Sequence, residues 1–149
     1  MEKIWLKSWP LDIPRSLVFL EKPLPEFLRE NARLKPDKVA INFYGREMTF
    51  RELNTRTDQL AAALIDFGLK KGDPVSLFLE NSPQFIIGYY AILRAGGVVV
   101  AANPMFKEEE LAYEIRDSGA KILIAQDILY PKVEKIRQRA KISHVIVTS

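Results

Sequence analysis

The sequence predicts an α/β fold in which a mostly parallel sheet is flanked by helices on both faces. Short apolar segments with the composition of buried strands alternate with longer segments in which apolar residues recur at helical spacing. The connections between them are short, which is typical of parallel sheets whose crossovers are helices. With 149 residues, of which 48% are hydrophobic and 28% charged, the chain can form one compact domain with its own core.

The first part of the chain differs from the rest. Residues 1–24 are predicted to form an N-terminal arm, and residues 25–149 the α/β domain. The arm is rich in proline, which prevents a long helix there. Because Trp5 and Trp9 are large apolar side chains, we expect the arm to pack on the domain.

The domain begins with a helix and a hairpin. A short helix is predicted over 25–34, followed by a strand over 39–44. Gly45 and Arg46 can turn the chain, so that residues 47–49 return as a short paired strand.

The clearest element is the long helix that follows Thr49. Thr49 and Glu52 have the spacing of a capping box, in which each side chain accepts a hydrogen bond from the backbone N–H of the other residue. Gly68 supplies the left-handed residue that ends the helix. One stripe at helical spacing is expected to face the core; it consists of Leu53, Thr57, Leu60, Ala61, Leu64 and Phe67.

The remainder of the chain repeats the strand–helix unit. Ser82 and Pro83 begin a helix, because a hydroxyl cap followed by proline is a common helix start. Small and β-branched residues follow over 97–102, as expected of a strand covered on both faces. The other strands are predicted over 74–79, 121–125 and 144–147, and the other helices over 107–117 and 131–140.

Composition excludes several kinds of site. The chain has no cysteine and one histidine, so disulfide frameworks, thiolate metal sites and histidine-rich metal sites are not expected. The net charge is only +3, and the densest basic stretch, 132–141, is interrupted by Glu134 and contains no aromatic residue. We therefore expect no nucleic-acid partner, although this stretch can attract a phosphorylated small molecule. The lack of cysteine fits a reducing compartment, and we expect a cytoplasmic protein.

A transmembrane segment is not expected either. The most membrane-like stretch, 85–102, contains Arg94 and then Gly96 and Gly97, so a helix, a turn and a strand explain it better than a membrane span. The start of the chain lacks the pattern of a signal peptide. Peripheral contact with a membrane surface stays open.

The residues alone do not assign an active site. Gly96 and Gly97 lack the spaced glycines and the following lysine of a phosphate loop. His144 has no serine or cysteine partner recognisable in the sequence, and the glutamates at 108–110 are explained by the dipole of the helix that they begin. We therefore predict no catalytic residue and no metal ligand in this chain.

Several short segments resemble, in order, elements of the adenylate-forming (AMP-binding) enzymes. They are 31–40 (NARLKPDKVA), 48–53 (MTFREL), 68–75 (GLKKGDPV), 80–85 (ENSPQF) and 93–104 (LRAGGVVVAANP). Each is weak by itself, but their order and separations over 27–147 make the resemblance specific. It implies the N-terminal subdomain of such an enzyme. The asparagine before Pro104 is more usual in fatty-acyl and related CoA ligases than in peptide-synthetase adenylation domains, so the chain is similar to an acyl-CoA synthetase for medium- or long-chain fatty acids.

The resemblance implies a two-step reaction for the whole enzyme. A small-molecule carboxylate attacks the α-phosphorus of ATP, with Mg²⁺, to give an acyl-adenylate and pyrophosphate, and the thiol of CoA then takes the acyl group. In the family the phosphate loop and the catalytic lysine lie beyond the segment that matches this chain. We therefore expect a truncated piece that belongs with the remainder of the same polypeptide and is inactive alone.

The resemblance also implies a surface that lies near the CoA nucleotide. Its residues are Asn103, Pro104, Met105, Lys132 and Lys135, with Pro131 nearby; we call them the CoA surface. A solvated basic helix face is the alternative explanation of the lysines. For the protein as a whole, an aryl-CoA ligase, a luciferase-like enzyme and a non-catalytic α/β binding module remain alternatives.

Overall fold

A computed structural model describes residues 3–17 and 19–149. The helices are α1 (Leu24–Leu34), α2 (Phe50–Asp66), α3 (Pro83–Arg94), α4 (Glu108–Ser118) and α5 (Tyr130–Ile136). The strands are β1 (Val39–Phe43), β2 (Arg46–Thr49), β3 (Pro74–Phe78), β4 (Val98–Ala101), β5 (Ile122–Gln126) and β6 (His144–Thr148). The 3₁₀ helices are Ile4–Ser8 and Asp127–Leu129.

The sheet is parallel throughout. Its strand order is β4–β3–β5–β6, and every neighbouring pair runs parallel. Strands β1 and β2 form a separate antiparallel hairpin. The chain leaves β3 for β4 on one side and then crosses over β3 to reach β5 on the other side.

Successive residues of the central strand face two different hydrophobic clusters. Leu77 packs in the cluster under α2 and α3, which includes Leu64 and Ile92. The next residue, Phe78, packs in the cluster under α4 and α5, which includes Leu111. All five side chains are fully buried, at 0% exposure. Helices therefore cover both faces of the sheet, which confirms the predicted fold class.

The predicted helix ends are confirmed where local chemistry determines them. Thr49 Oγ1 accepts from the Glu52 N–H at 3.2 Å, and Glu52 Oε2 accepts from the Thr49 N–H at 2.8 Å. Ser82 Oγ caps α3 by accepting from the Phe85 N–H at 3.3 Å. Gly68 follows α2 with φ of 88°, in the left-handed region that glycine favours.

Gly96 and Gly97 form the tight connection from α3 to β4. Gly96 has φ of 85°, and the Gly97 N–H donates to the Ile92 carbonyl at 2.8 Å. A Cβ atom on Gly97 would lie 3.0 Å from Ile92 Cγ2 and 3.1 Å from the Asp73 carbonyl oxygen. The stretch 85–102 is therefore helix, turn and strand, as predicted, with glycine required by the close approach of the chain.

The structure corrects three expectations about burial and length. Phe67 is not part of the buried stripe of α2: it is 42% exposed, and its ring stacks on His144 with centroids 4.8 Å apart. The expectation of a strand covered on both faces is wrong for β4, because none of its four residues is fully buried and Val98 is 50% exposed. The helix predicted over 131–140 ends at Ile136 and continues as turns.

The hairpin turns one residue earlier than predicted. Tyr44 and Gly45 occupy the turn with φ of 49° and 79°, and Arg46 already belongs to β2. Two successive positive φ angles are typical of the tight turns whose twist matches that of the flanking strands.

The arm buries little of its apolar surface. Trp5 is 60% exposed and Trp9 is 37% exposed, and no described residue before Leu24 is fully buried. Lys22 forms an ion pair with Glu30 of α1, and its ammonium lies 4.3 Å from the centroid of the Phe27 ring. Part of the predicted arm, residues 1, 2 and 18, lies outside the described residues. Packing of the arm and its boundary at residue 24 stay predictions. None of the helices in the described ranges is long and apolar enough to cross a membrane.

Candidate functional site

The carboxyl ends of the parallel strands bring together the two parts of the predicted CoA surface. Residues 103–106 follow β4, and α5 follows β5 after a short 3₁₀ helix. In open parallel sheets, ligands bind along this edge. A direct contact joins the two parts, because Lys132 on α5 donates to backbone carbonyls of the segment after β4.

Residues 103–106 form a tight turn, which we call the 103–106 turn. The Phe106 N–H donates to the Asn103 carbonyl at 2.9 Å, and Asn103 Oδ1 accepts from the Met105 N–H at 3.0 Å. Asparagine at the first position and proline at the second are typical of such turns, because the amide side chain mimics a backbone acceptor and proline presets φ. Met105 projects at the tip with 84% exposure.

Buried contacts hold both ends of the turn. Before it, the Ala102 N–H donates to the Leu77 carbonyl of β3 at 2.9 Å. After it, Phe106 packs against the hydrophobic cluster under α4 and α5. The turn is therefore anchored at its ends and exposed at its tip.

Lys132 connects the turn to α5. Its ammonium donates to the Phe106 carbonyl at 2.8 Å and to the Pro104 carbonyl at 3.3 Å, and it lies 5.7 Å from the centroid of the Phe78 ring. Two of its three ammonium hydrogens are thus used within the chain.

Lys135 has a different environment. Its ammonium lies 2.9 Å from Glu108 Oε1, and its side chain is 68% exposed. The hydrogen bond from Lys135, with a further one from the Glu108 backbone, holds the pKa of the Glu108 carboxyl below its usual range. A second exposed pair, Arg139 with Glu109 at 2.6 Å, joins α4 to the turns that follow α5. The basic stretch is therefore partly neutralised by the first turn of α4.

Sequence reasoning did not identify the partners of these lysines. The glutamates of α4 were explained by the helix dipole alone, whereas Glu108 also pairs with Lys135 of α5 and Glu109 with Arg139, just after α5. Opposite charges on consecutive helices were a signal for this pairing. No local signal pointed to the bonds from Lys132 to the turn.

Another polar contact lies where the connections from β3 and β5 diverge. Gln126 Oε1 accepts from the Glu80 N–H at 3.3 Å. This position was not singled out from the sequence, although a polar residue at the end of an apolar strand is a usable signal.

The chemistry of the CoA surface fits a phosphorylated ligand with an apolar part. Met105 offers an exposed apolar side chain, and Lys135 offers an ammonium whose carboxylate partner is in contact with solvent. Within 3–17 and 19–149, no group of three or more histidine, aspartate or glutamate residues is arranged to hold a metal ion.

Comparison with known proteins identifies the family. The family model described as "AMP-binding enzyme" matches residues 28–149. The chain belongs to the AMP-binding enzyme family. It is 42% identical over 148 residues to a long-chain-fatty-acid–CoA ligase of Bacillus subtilis, an alignment that covers 99% of this chain and 26% of that relative. This AMP-binding chain thus spans about a quarter of the length of that relative.

Solved structures agree with the assignment. A long-chain-fatty-acid–CoA ligase from Archaeoglobus fulgidus superposes with a TM-score of 0.83 at 26% identity, over 89% of this AMP-binding chain and 28% of that chain. An anthranilate CoA ligase in complex with anthranoyl-AMP superposes with a TM-score of 0.82 at 28% identity, over 88% and 26% of the two chains. The predicted resemblance and fold class are confirmed.

Proposed function

We propose that the protein carrying this chain is an ATP-dependent acyl-CoA synthetase that activates a long-chain fatty acid through an acyl-adenylate. The 42% identity to the Bacillus subtilis ligase, which extends over 99% of the chain, carries this proposal. Because that alignment covers 26% of the relative, the activity belongs to the whole polypeptide. Its partners are a small-molecule carboxylate, ATP, Mg²⁺ and CoA, and its location is the cytoplasm, with at most peripheral contact with membranes.

This chain contributes scaffold and one binding surface to that reaction. When bound, ATP and Mg²⁺ supply the activated phosphorus and CoA supplies the accepting thiol. The residues of this chain bury both faces of the sheet and hold the 103–106 turn at its carboxyl edge. We assign the catalytic groups to the remainder of the protein.

The CoA surface is the part of this chain that touches substrate in this proposal. Its support is the position of the turn at the carboxyl edge, the 84% exposure of Met105 and the 68% exposure of the Lys135 side chain. The alternative is that Lys135 lies on a solvated helix face, and its ion pair with Glu108 fits that alternative equally well.

The reaction is tested with the purified full-length protein. We expect exchange of pyrophosphate into ATP that depends on a long-chain fatty acid, and formation of the acyl-CoA thioester. Exchange with benzoate or anthranilate alone would show an aryl-CoA ligase. Absence of exchange with every carboxylate would favour a binding module. The 149-residue chain alone should give no exchange, and a signal from it would overturn the scaffold role.

The CoA surface is tested separately. Charge reversal by Lys135→Glu and truncation by Met105→Ala should raise the KM for CoA and leave pyrophosphate exchange unchanged. Lys70→Glu is the matched control, because Lys70 precedes β3 and lies at the amino edge of the sheet. If both surface variants keep the KM of the parent enzyme, the lysines belong to a solvated face.

A further inference from the structure

We propose that Lys132 is a positioning residue: its ammonium holds the 103–106 turn against α5 in the conformation that receives CoA, and does not contact the phosphates of CoA. This inference rests on the proposed function of the turn. It divides the two lysines of the CoA surface into one that supports the turn and one that is available to the ligand.

The geometry of Lys132 carries the first half. The bonds to Phe106 and Pro104 span 26 and 28 residues of sequence, and both acceptors are backbone carbonyls of the turn. An ammonium placed between these two carbonyl oxygens fixes the orientation of the 104–105 and 106–107 peptide units of the turn. The exposed tip of the turn is thereby tied to a helix that packs on the core.

The cost of releasing these contacts argues against a direct role in phosphate binding. Lys132 is only half-exposed, and its ammonium lies 5.7 Å from the Phe78 ring centroid. To move to a phosphate, the Lys132 ammonium would have to break its hydrogen bonds to both carbonyls, which would then lack a donor. If it keeps those bonds, only one of its three hydrogens is free for a phosphate.

Lys135 shows the contrast. Its side chain is 68% exposed and its partner Glu108 is 35% exposed, so both charges stay hydrated when they separate. Exposed pairs of this kind contribute little to stability. Lys135 can therefore exchange Glu108 for a phosphate of CoA, whereas Lys132 stays with the turn.

The kinetic test uses the full-length enzyme with CoA and with 3′-dephospho-CoA, which lacks one phosphate. Lys132→Met keeps the apolar stem and removes the donor. We expect it to raise the KM for both thiols by the same factor, at least about tenfold from the loss of bonds to a charged donor. Pyrophosphate exchange should not change, which also reports that the variant is folded. Lys132→Arg should recover part of the loss, and Lys135→Met should affect CoA more than 3′-dephospho-CoA.

A second measurement reads the turn without catalysis. In the full-length protein without CoA, the amides of Met105 and Phe106 are protected by their bonds to Asn103. We expect their hydrogen exchange to accelerate in Lys132→Met and to stay unchanged in the control variant Lys70→Met. Unchanged exchange in Lys132→Met would overturn the inference, because the turn would then not need the lysine.

The remaining outcomes separate this inference from the proposed function. A KM penalty of Lys132→Met that disappears with 3′-dephospho-CoA would assign Lys132 to the phosphate and overturn the positioning role. If Met105→Ala raises the KM for CoA and Lys132→Met does not, only the positioning role fails. If Met105→Ala, Lys132→Met and Lys135→Met all leave the KM unchanged, the CoA surface itself fails, and the inference fails with it.

Discussion

The ion pair between Arg94 and Asp58 joins α3 to α2, and its two partners differ greatly in burial. Arg94 Nη1 lies 2.6 Å from Asp58 Oδ1, and the side chains are 6% and 52% exposed. Without Asp58, the guanidinium would stay buried with bonds of 3.4 Å to the carbonyls of Asn54 and Pro25. Without Arg94, the half-exposed carboxylate would still accept from Asn54 Nδ2 at 3.0 Å.

This asymmetry predicts unequal losses of stability. Asp58→Ala should lower the free energy of unfolding by about 3 kcal/mol, the cost of an uncompensated buried charge. Arg94→Met should cost about 1 kcal/mol, because the carboxylate rehydrates and methionine keeps most of the apolar stem. The double variant should be more stable than Asp58→Ala, since it removes the stranded guanidinium.

Urea unfolding of the full-length protein and its variants measures these differences. Arg51→Met is the matched control: Arg51 pairs with Asp37 at 3.0 Å, but the side chains are 62% and 84% exposed. The control should change stability by no more than about 0.5 kcal/mol. The reasoning is refuted if Arg94→Met costs as much as Asp58→Ala, or if the losses of the two single variants add in the double variant.

Three further predictions concern the core, the hairpin and α4. Leu64→Ala should lower the free energy of unfolding by about 3 kcal/mol and Leu60→Ala by about 1 kcal/mol. The reason is that Leu64 is fully buried, whereas Leu60 is half-buried and lines a groove of about 970 Å³. Equal losses in urea unfolding would contradict the core assignment. Tyr44→Asn should stabilise the fold by about 0.5–1 kcal/mol and so raise the melting temperature, because Tyr44 is 93% exposed at positive φ and asparagine tolerates that conformation better. A lower melting temperature would reveal a stabilising contact of the tyrosine ring in the whole protein. Burial raises the pKa of Glu114 above its ordinary value of 4.5, so the folded state binds this proton more tightly. Stability should therefore fall as pH rises from about 4.5 through the raised value; Glu114→Gln should remove that slope, and a slope that persists in the variant would assign it to another group.

Local chemistry made much of the fold predictable. The spacing of Thr49 and Glu52 predicted the start of α2 to the residue, because a capping box uses only atoms of one turn of chain. Gly96 and Gly97 predicted the close passage from α3 into β4 for the same reason. The alternation of apolar segments predicted helices on both faces of the sheet.

What the sequence left undetermined depends on neighbours that are distant in the chain. Apolar composition cannot tell how far the neighbouring elements cover a strand, so β4 was expected to be covered on both faces, although none of its residues is fully buried. Helical spacing placed Phe67 on the core stripe, but the helix ends before it and the ring turns to His144 instead. For the candidate site, the residue positions came from the family resemblance. The hydrogen-bond acceptors of Lys132 could not be predicted, because they are backbone oxygens of residues 26 and 28 positions away in the chain.

The position of β3 in the sheet has a consequence for synthesis of the protein. Among the four strands of this sheet in the described residues, it is the first to be synthesised, yet it pairs on one side with β4 and on the other with β5, which emerge later. The strand therefore stays unpaired until both partners have been synthesised, and α2 and α3 are the first helices that can cover one of its faces. A pause in translation between β4 and β5 would prolong the time for which the other face of β3 is exposed to solvent. We expect chaperones to bind the nascent chain during that interval.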